Sequence, residues 1–143
     1  MHPTIDEQLE GIARLIERSV ETTGDGPESE RLRTAAGTLR RVSKSWALML
    51  PYLTWDNEAT ASLIENLHID ISKDLLDQVH TIDSTPMDPL DFVAVHDRNN
   101  ALRGVLAHAI QSLPASAGTA RAAIASHVRE RIARDPSSGR SRR

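Results

Sequence analysis

TIDEQLEGIARLIERSV, residues 4–20, is the stretch of sequence that decides the fold of this chain. Its apolar side chains recur every three or four residues, which is the spacing of one face of an α-helix. These side chains are Ile5, Leu9, Ile12, Leu15, Ile16 and Val20. Thr4 followed by Glu7 is the pattern of a capping box, in which two side chains satisfy free amides at a helix start. The stretch therefore predicts a first helix that ends before Gly24 and Pro27.

The same helical spacing continues through the rest of the chain. Pro51 lacks the amide that a helix interior needs, so we predict a connection over residues 51–56. Asp88-Pro89 is a typical start for a helix, since aspartate caps and proline fits the first turn. Low helix propensity predicts that the third helix can break around residues 68–70. The four further predicted helices cover about residues 28–50, 57–79, 88–113 and 119–135.

Composition favours an all-α protein. Only four of the 143 residues are aromatic, and β-sheets are usually rich in aromatic and β-branched side chains. There is no cysteine, which excludes disulfides, thiolate nucleophiles and cysteine-bound zinc. We therefore predict an antiparallel four-helix bundle with an additional C-terminal helix. One domain is expected over residues 1–135, followed by a disordered basic tail over residues 136–143.

Location and partners are predicted from charge and hydropathy. The N-terminus has no basic segment followed by an apolar one, and the longest apolar run covers only residues 47–51. We therefore expect a cytoplasmic protein with no signal peptide and no membrane contact. The basic C-terminal segment lacks interleaved aromatic residues, so nucleic-acid binding is not expected. The prevalence of two-fold oligomers predicts a homodimer.

The sequence carries none of the familiar enzyme signatures, and its candidate metal ligands are incomplete. The sequence contains no Gly-rich phosphate loop, no nucleophile elbow and no zinc-protease signature. Glu65-x-x-His68 and Asp77-x-x-His80 have the spacing of di-iron ligands, but such sites need these pairs on two different helices. Both pairs lie on one predicted helix. We therefore expect a non-catalytic protein that holds no metal and no cofactor.

A run of polar residues, 96–100, interrupts the apolar fourth helix. Counting back from Ile110 by the helical period places Asn99 and His96 toward the interior, with Arg103 at the edge of that face. Two interpretations stay open: a hydrogen-bonded polar layer that fixes helix register, or a site for a small polar ligand or proton transfer. If the layer is structural, replacing Asn99 by leucine should be neutral or stabilising.

Aromatic side chains are concentrated around the predicted turn between the second and third helices. Trp46, Tyr52 and Trp55 lie within ten residues of one another. Large side chains there can close the end of a bundle, because aromatics bury much area. Alternatively they form a pocket wall or a dimer contact, since tryptophan and tyrosine are enriched at interfaces. The three residues are therefore candidate ligand or interface residues, together with His96, Asn99 and Arg103.

The N-terminal 60 residues resemble a group of small bacterial helical proteins. The resemblance rests on Thr4-Ile5-x-Glu7-x-Leu9-x-x-Ile12, on Trp46-x-x-x-Leu50-Pro51-Tyr52-Leu53 and on Asp56-Asn57. Members of that group are encoded near acyl-CoA dehydrogenases and aminoglycoside-phosphotransferase-like kinases. The resemblance implies an accessory role beside a partner enzyme of acyl-group catabolism. The leading hypothesis is association, with itself or with such an enzyme; the alternative is a small-molecule or acyl-group site near His96 and Asn99.

Overall fold

The computed structural model describes residues 3–68 and 70–138. All of its regular structure is helical, and no strand occurs in these two ranges. The prediction of an all-α protein whose helices pack as in a bundle is therefore confirmed. The elements are α1 (Ile5–Thr23), α2 (Pro27–Asn66), α3 (Lys73–Ser84), α4 (Phe92–Ser112), α5 (Gly118–Arg134) and a 3₁₀ turn (Pro136–Ser138).

The helix starts follow local capping chemistry. Thr4 is the N-cap of α1, and its amide donates to Glu7 Oε2 at 2.8 Å, as the capping-box pattern predicts. The prediction that the fourth helix begins at Asp88-Pro89 is wrong. Asp91 caps α4 instead, since its Oδ1 accepts from the amides of Val93 at 2.9 Å and Ala94 at 3.2 Å. The α5 boundaries fall within one residue of the predicted range.

The largest departure from the sequence prediction is α2, which continues through Pro51 for 40 residues. The predicted connection over residues 51–56 is therefore wrong. Proline removes one intrahelical hydrogen bond, but the packing of buried Leu53 and Asp56 holds the segment helical. A single helix over residues 57–79 is also wrong, because α2 ends at Asn66 and α3 starts at Lys73. The break expected around residues 68–70 is confirmed at the described positions on either side of residue 69.

The chain divides into two compact units, and the boundary falls between Met49 and Leu50, next to Pro51. The predicted single domain over residues 1–135 stays a prediction. The hairpin unit comprises residues 3–49 and the 3₁₀ turn at 136–138. That turn replaces the disorder expected at residues 136–138, while residues 139–143 of the predicted tail lie outside the described part of the chain.

The hairpin unit consists of α1 and the first part of α2, which run antiparallel. Gly24 ends α1 with a φ of 78°, a conformation that favours glycine, and Ser29 donates a hydrogen bond to its carbonyl. Further along, Ser43 Oγ donates to the Asp6 carbonyl at 3.0 Å. Residues near the start of α1 thus lie beside residues of α2 far from the turn, as an antiparallel hairpin requires.

The four-helix unit covers residues 50–135 and contains the last part of α2 with α3, α4 and α5. Its core is large and apolar. Ile64 from α2, Val79 from α3, and Leu102 and Ala109 from α4 are all completely buried. Ile124 of α5 joins the same core. Because burial of large aliphatic side chains is the dominant stabilising term in folding, this unit has a full hydrophobic core of its own.

Candidate functional site

A fully buried carboxylate, Asp56, lies at the centre of a polar cluster inside the four-helix unit. Its Oδ2 accepts a hydrogen bond from Asn99 Nδ2 at 2.8 Å. The same oxygen accepts from Arg103, whose Nη2 and Nε lie 3.1 Å and 3.3 Å away. A buried charge is costly unless it is paired, and one oxygen of Asp56 is thus paired with a cation and an amide.

The second oxygen of Asp56 accepts no hydrogen bond from any residue in the ranges 3–68 and 70–138. Its nearest donors are His127 Nε2 at 3.6 Å and Arg131 Nε at 3.9 Å, both beyond ordinary hydrogen-bonding distance. His127 Nε2 instead lies 3.1 Å from Thr60 Oγ1, and both of these residues are buried. Asp56 Oδ1 is therefore a buried acceptor with remaining capacity for a donor.

Two asparagines extend the cluster from Asp56 to α4. Asn99 Nδ2 also donates to Asn57 Oδ1 at 2.8 Å, and Asn57 Nδ2 donates to the Val95 carbonyl at 3.1 Å. Asn99 Oδ1 is buried and has no hydrogen-bond partner among the residues that the structure describes. We define the buried polar cluster as Asp56, Asn57, Thr60, Asn99, Arg103, His127 and Arg131. Two of its oxygens lack donors, which is unusual for buried polar atoms.

Burial shifts two pKa values at the cluster and its edge. Burial lowers the pKa of His127, and the neighbouring Asp56 carboxylate only partly offsets this effect. Burial likewise raises the pKa of Tyr52, with Asp56 adding to the rise. His127 is therefore held as a neutral imidazole at neutral pH, and Tyr52 as a neutral phenol. A neutral imidazole beside a carboxylate can accept or pass a proton. Thr60 carries the only hydroxyl group of the cluster with which His127 could exchange one.

The lowered pKa of His127 predicts a specific acid sensitivity. In the unfolded chain this histidine binds a proton with a pKa near 6.5, whereas in the folded chain it does so only at lower pH. The unfolded state therefore holds more protons below about pH 6.5, and stability falls as the pH drops through that range. Urea unfolding at pH 7 and pH 5 should show a smaller loss for His127→Gln than for the wild type. Equal losses would contradict this assignment.

The outer edge of the cluster is aromatic. Trp55 lies 6.2 Å from the His127 ring and 6.1 Å from the Tyr52 ring, measured between centroids. The Arg134 guanidinium carbon lies 4.3 Å above the Trp55 ring, a cation–π geometry. The Tyr52 hydroxyl donates to the Arg131 carbonyl at 3.4 Å. Tyr52 and Trp55 therefore lie at the edge of the cluster, next to α5.

The structure brings some of the predicted site residues together and leaves others apart. Asn99 is completely buried and Arg103 half-buried, both in the cluster, as the helical phase predicts. His96 is exposed and stacks on Phe92 with the rings 6.0 Å apart, so its predicted inward position is wrong. Tyr52 and Trp55 edge the cluster. Trp46 belongs to the hairpin unit.

Five members of the cluster were not singled out from the sequence: Asp56, Asn57, Thr60, His127 and Arg131. Asp56 lay in the predicted connection over residues 51–56 and Asn57 at the start of the next predicted helix, so neither was expected on a buried helix face. On α5, the spacing from Ala120 through Ile124 to His127 is four and then three residues, which continues one buried face. That spacing was the available signal for His127, and Arg131 follows four residues later.

Replacing Asn99 by leucine is now expected to destabilise the protein, contrary to the neutral effect expected for a structural layer. Asn99 supplies a donor to Asp56 and another to Asn57, so leucine leaves the Asn57 oxygen buried without a donor. Such a loss costs about 1–3 kcal/mol. Asn100→Leu, at an exposed neighbouring position, is the matched control. Thermal unfolding that is unchanged or stabilised in Asn99→Leu would contradict the network described above.

A second feature lies on the hairpin unit. Helical periodicity places the half-exposed apolar side chains of α1 and α2 on the same side of the antiparallel pair. Every side chain on this side is uncharged until Arg31 and Glu28, near the turn. We call it the association face. Its members are Ile5, Gln8, Leu9, Ile12, Leu15, Ile16 and Ser19 of α1, with Ala35, Thr38, Leu39, Val42, Ser45, Trp46 and Met49 of α2.

Four large apolar residues of the association face are strongly exposed. The exposed fractions are 61% for Leu15, 48% for Ile5, 47% for Ile12 and 42% for Val42. By contrast, the buried apolar residues within the described part of the hairpin unit are two alanines, Ala13 and Ala36, and a single larger aliphatic residue, Val20. Contiguous exposed apolar surface of this kind is typical of interaction sites.

The opposite side of the hairpin carries its charges. Arg40 of α2 forms ion pairs with two glutamates of α1, at 3.3 Å to Glu10 Oε1 and 2.8 Å to Glu17 Oε2. Interactions of half-exposed charges are individually weak, but their position is informative. All of them lie away from the association face, so the hairpin has one charged side and one apolar side.

The two candidate metal pairs are not brought together by the fold. Glu65 lies in the last turn of α2 and His68 in the turn that follows it. Asp77 and His80 lie in α3, where Asp77 pairs with Lys73 at 2.6 Å. All four are exposed. Among the described residues there is no group of three or more acidic, histidine or cysteine side chains arranged to hold a metal ion.

The fold and these two features define the class of the molecule: an all-α protein with a buried polar cluster in one unit and an apolar face on the other. Comparison with protein-family models, curated proteins and solved structures finds no significant match to this chain. In the ranges 3–68 and 70–138, no helix combines the length and apolar character that crossing a membrane requires.

Proposed function

We propose that this chain is a non-catalytic protein that acts by association through its association face. The observation that carries the proposal is the contrast within one hairpin. One side exposes Ile5, Ile12, Leu15 and Val42 among uncharged neighbours, and the other side is charged. Two helices alone bury little, and helical hairpins are normally stabilised by packing their apolar face on further helices.

A photoreactive amino acid on the face tests this function without assuming the partner. Gln8 and Ser19 are exposed on the association face, and Lys44 is exposed on the charged side. Irradiation of cells that produce each variant is expected to give discrete adducts from positions 8 and 19 but not from position 44. The absence of adducts from both face positions, or equal labelling from all three positions, would contradict association through this face.

The resemblance of the N-terminal 60 residues bears on where the protein acts. It supports a cytoplasmic accessory role in acyl-group catabolism. In that setting a partner enzyme is the alternative to a second copy of the chain. The adduct masses from the photochemical experiment separate the two, since a second copy adds 15.7 kDa.

Binding of a small acyl compound at the buried polar cluster is a second candidate function. It is favoured by the two buried oxygens without donors, Asp56 Oδ1 and Asn99 Oδ1. Acetamide carries an acyl group and an amide donor, and is the smallest suitable probe. It is expected to raise the unfolding temperature of the wild type and not that of Asn99→Leu, because only a bound ligand stabilises the folded state. An equal response of both proteins would remove this candidate.

A further inference from the structure

We infer that the occupant of the association face is a second copy of this chain, packed face to face about a two-fold axis. The two hairpins would then form an intermolecular four-helix bundle, with each hairpin contributing α1 and the first part of α2. This inference rests on the proposed function and names its partner. It is carried by three properties of the face: its charge, its incompleteness and its size.

Charge is the first property. In a two-fold dimer each face meets an identical face, so any charged residue near the axis is brought close to its own copy. Like charges brought together across an interface are strongly unfavourable. The positions from Ile5 to Ser19 and from Ala35 to Met49 that form the face are all uncharged. Glu10, Glu17 and Arg40, which would interfere with self-pairing, lie on the other side of the hairpin.

Incompleteness is the second property. The hairpin unit has two helices and, among its described residues, no large aliphatic side chain that is buried except Val20. A four-helix bundle needs two more helices with a matching apolar stripe. A second copy supplies both, in the same register and with the same spacing. Ile12 and Leu15, which occupy the middle of α1, would then be buried between the two hairpins.

Size is the third property. The face has seven positions on each helix, fewer than the roughly 20–30 residues that each partner contributes to a standard interface. Interfaces below the standard size are typical of weak, transient complexes, so we expect a dissociation constant in the micromolar range, about 1–100 µM. The dimer is therefore expected to form and dissociate over an accessible concentration range.

The chain contains no cysteine, so a single introduced cysteine reports on the contact directly. Purified Ser19→Cys, treated with a short bismaleimide, is expected to give covalent dimers of twice the chain mass. Lys44→Cys, on the charged side, is expected to stay monomeric. Adding Leu15→Glu to Ser19→Cys should reduce cross-linking at least tenfold. Adding Leu48→Glu should leave it unchanged, because Leu48 has a similar exposure of 59% but lies outside the face.

The outcomes separate this inference from the proposed function. If Ser19→Cys gives no covalent dimer, or if Leu15→Glu and Leu48→Glu act alike, a second copy is not the occupant and the inference is overturned. In that case, adducts with a different protein in the photochemical experiment would still support association through the face, with that protein as the partner. Circular dichroism of the two glutamate variants shows whether each remains folded. An unfolded Leu15→Glu is replaced by Leu15→Gln, for which the same loss of cross-linking is required.

Discussion

Replacement of Asp56 by leucine is expected to lower the free energy of unfolding by about 3 kcal/mol. Asp56 is completely buried, and Asn99 and Arg103 both donate to its Oδ2. Removing one partner of a buried ion pair costs about 3–5 kcal/mol, because the remaining charge is left without compensation. The lower end applies here, since Arg103 and Arg131 keep 35% and 25% of their side-chain surface exposed and can turn toward water.

Asp97→Leu is the matched control for this effect, because Asp97 is an exposed aspartate on α4. Exposed substitutions of this kind usually change stability by less than about 0.5 kcal/mol. Both variants are compared by urea unfolding at one protein concentration, so that any association affects them equally. If Asp56→Leu is as stable as the wild type, the buried polar cluster does not hold the four-helix unit together.

Replacement of Leu102 by alanine is expected to destabilise the four-helix unit by about 2–5 kcal/mol. Leu102 is completely buried in the core with Ile64 and Val79, so its truncation leaves a cavity. Leu90→Ala is the control, since Leu90 is 80% exposed just before α4. Thermal unfolding should show a large loss for the first variant and almost none for the second. Similar losses would mean that the helical phase of α4 is not the one described.

The helical class was predictable because the apolar spacing of α1 is unambiguous over 16 residues. The helix boundaries depend on local chemistry, where several sequence signals compete. Thr4 and Glu7 predicted the α1 start correctly, since a capping box has few other uses. The sequence prediction overestimated the helix-breaking effect of Pro51. Its local cost of about 3 kcal/mol is exceeded by the packing of the residues that follow it, which single-sequence spacing does not show.

The candidate site was only partly predictable for the same reason. Asn99 and Arg103 were found because they interrupt an otherwise apolar face of α4. Their partner Asp56 was hidden by the error at Pro51, which moved it from a helix face into a connection. The sequence predicts His96 on the inner face together with Asn99, three residues away. In the structure His96 is exposed. A helix phase error of one position is sufficient to turn a side chain outward.

The association face could not be predicted from the stripe of α1 alone. The sequence shows that Ile5, Ile12 and Leu15 belong to the apolar stripe of α1. It does not show which part of this stripe is buried against α2. The structure shows that Ala13 and Val20 face α2, whereas Leu15 and Ile12 remain exposed. Only the pairing of the two helices, in which Arg40 lies beside Glu10 and Glu17, reveals that both exposed flanks lie on one side.

Light scattering of the wild type beside Leu15→Glu and Leu48→Glu shows whether the chain self-associates through the association face. Each buried leucine contributes about 1.5–3 kcal/mol, and a two-fold dimer contains two, so Leu15→Glu should weaken association at least about 100-fold. The wild type and Leu48→Glu are expected to reach twice the 15.7 kDa chain mass as concentration rises, while Leu15→Glu stays at 15.7 kDa. If the wild type remains at 15.7 kDa throughout, or if Leu15→Glu dimerises like the wild type, the chain does not self-associate through this face.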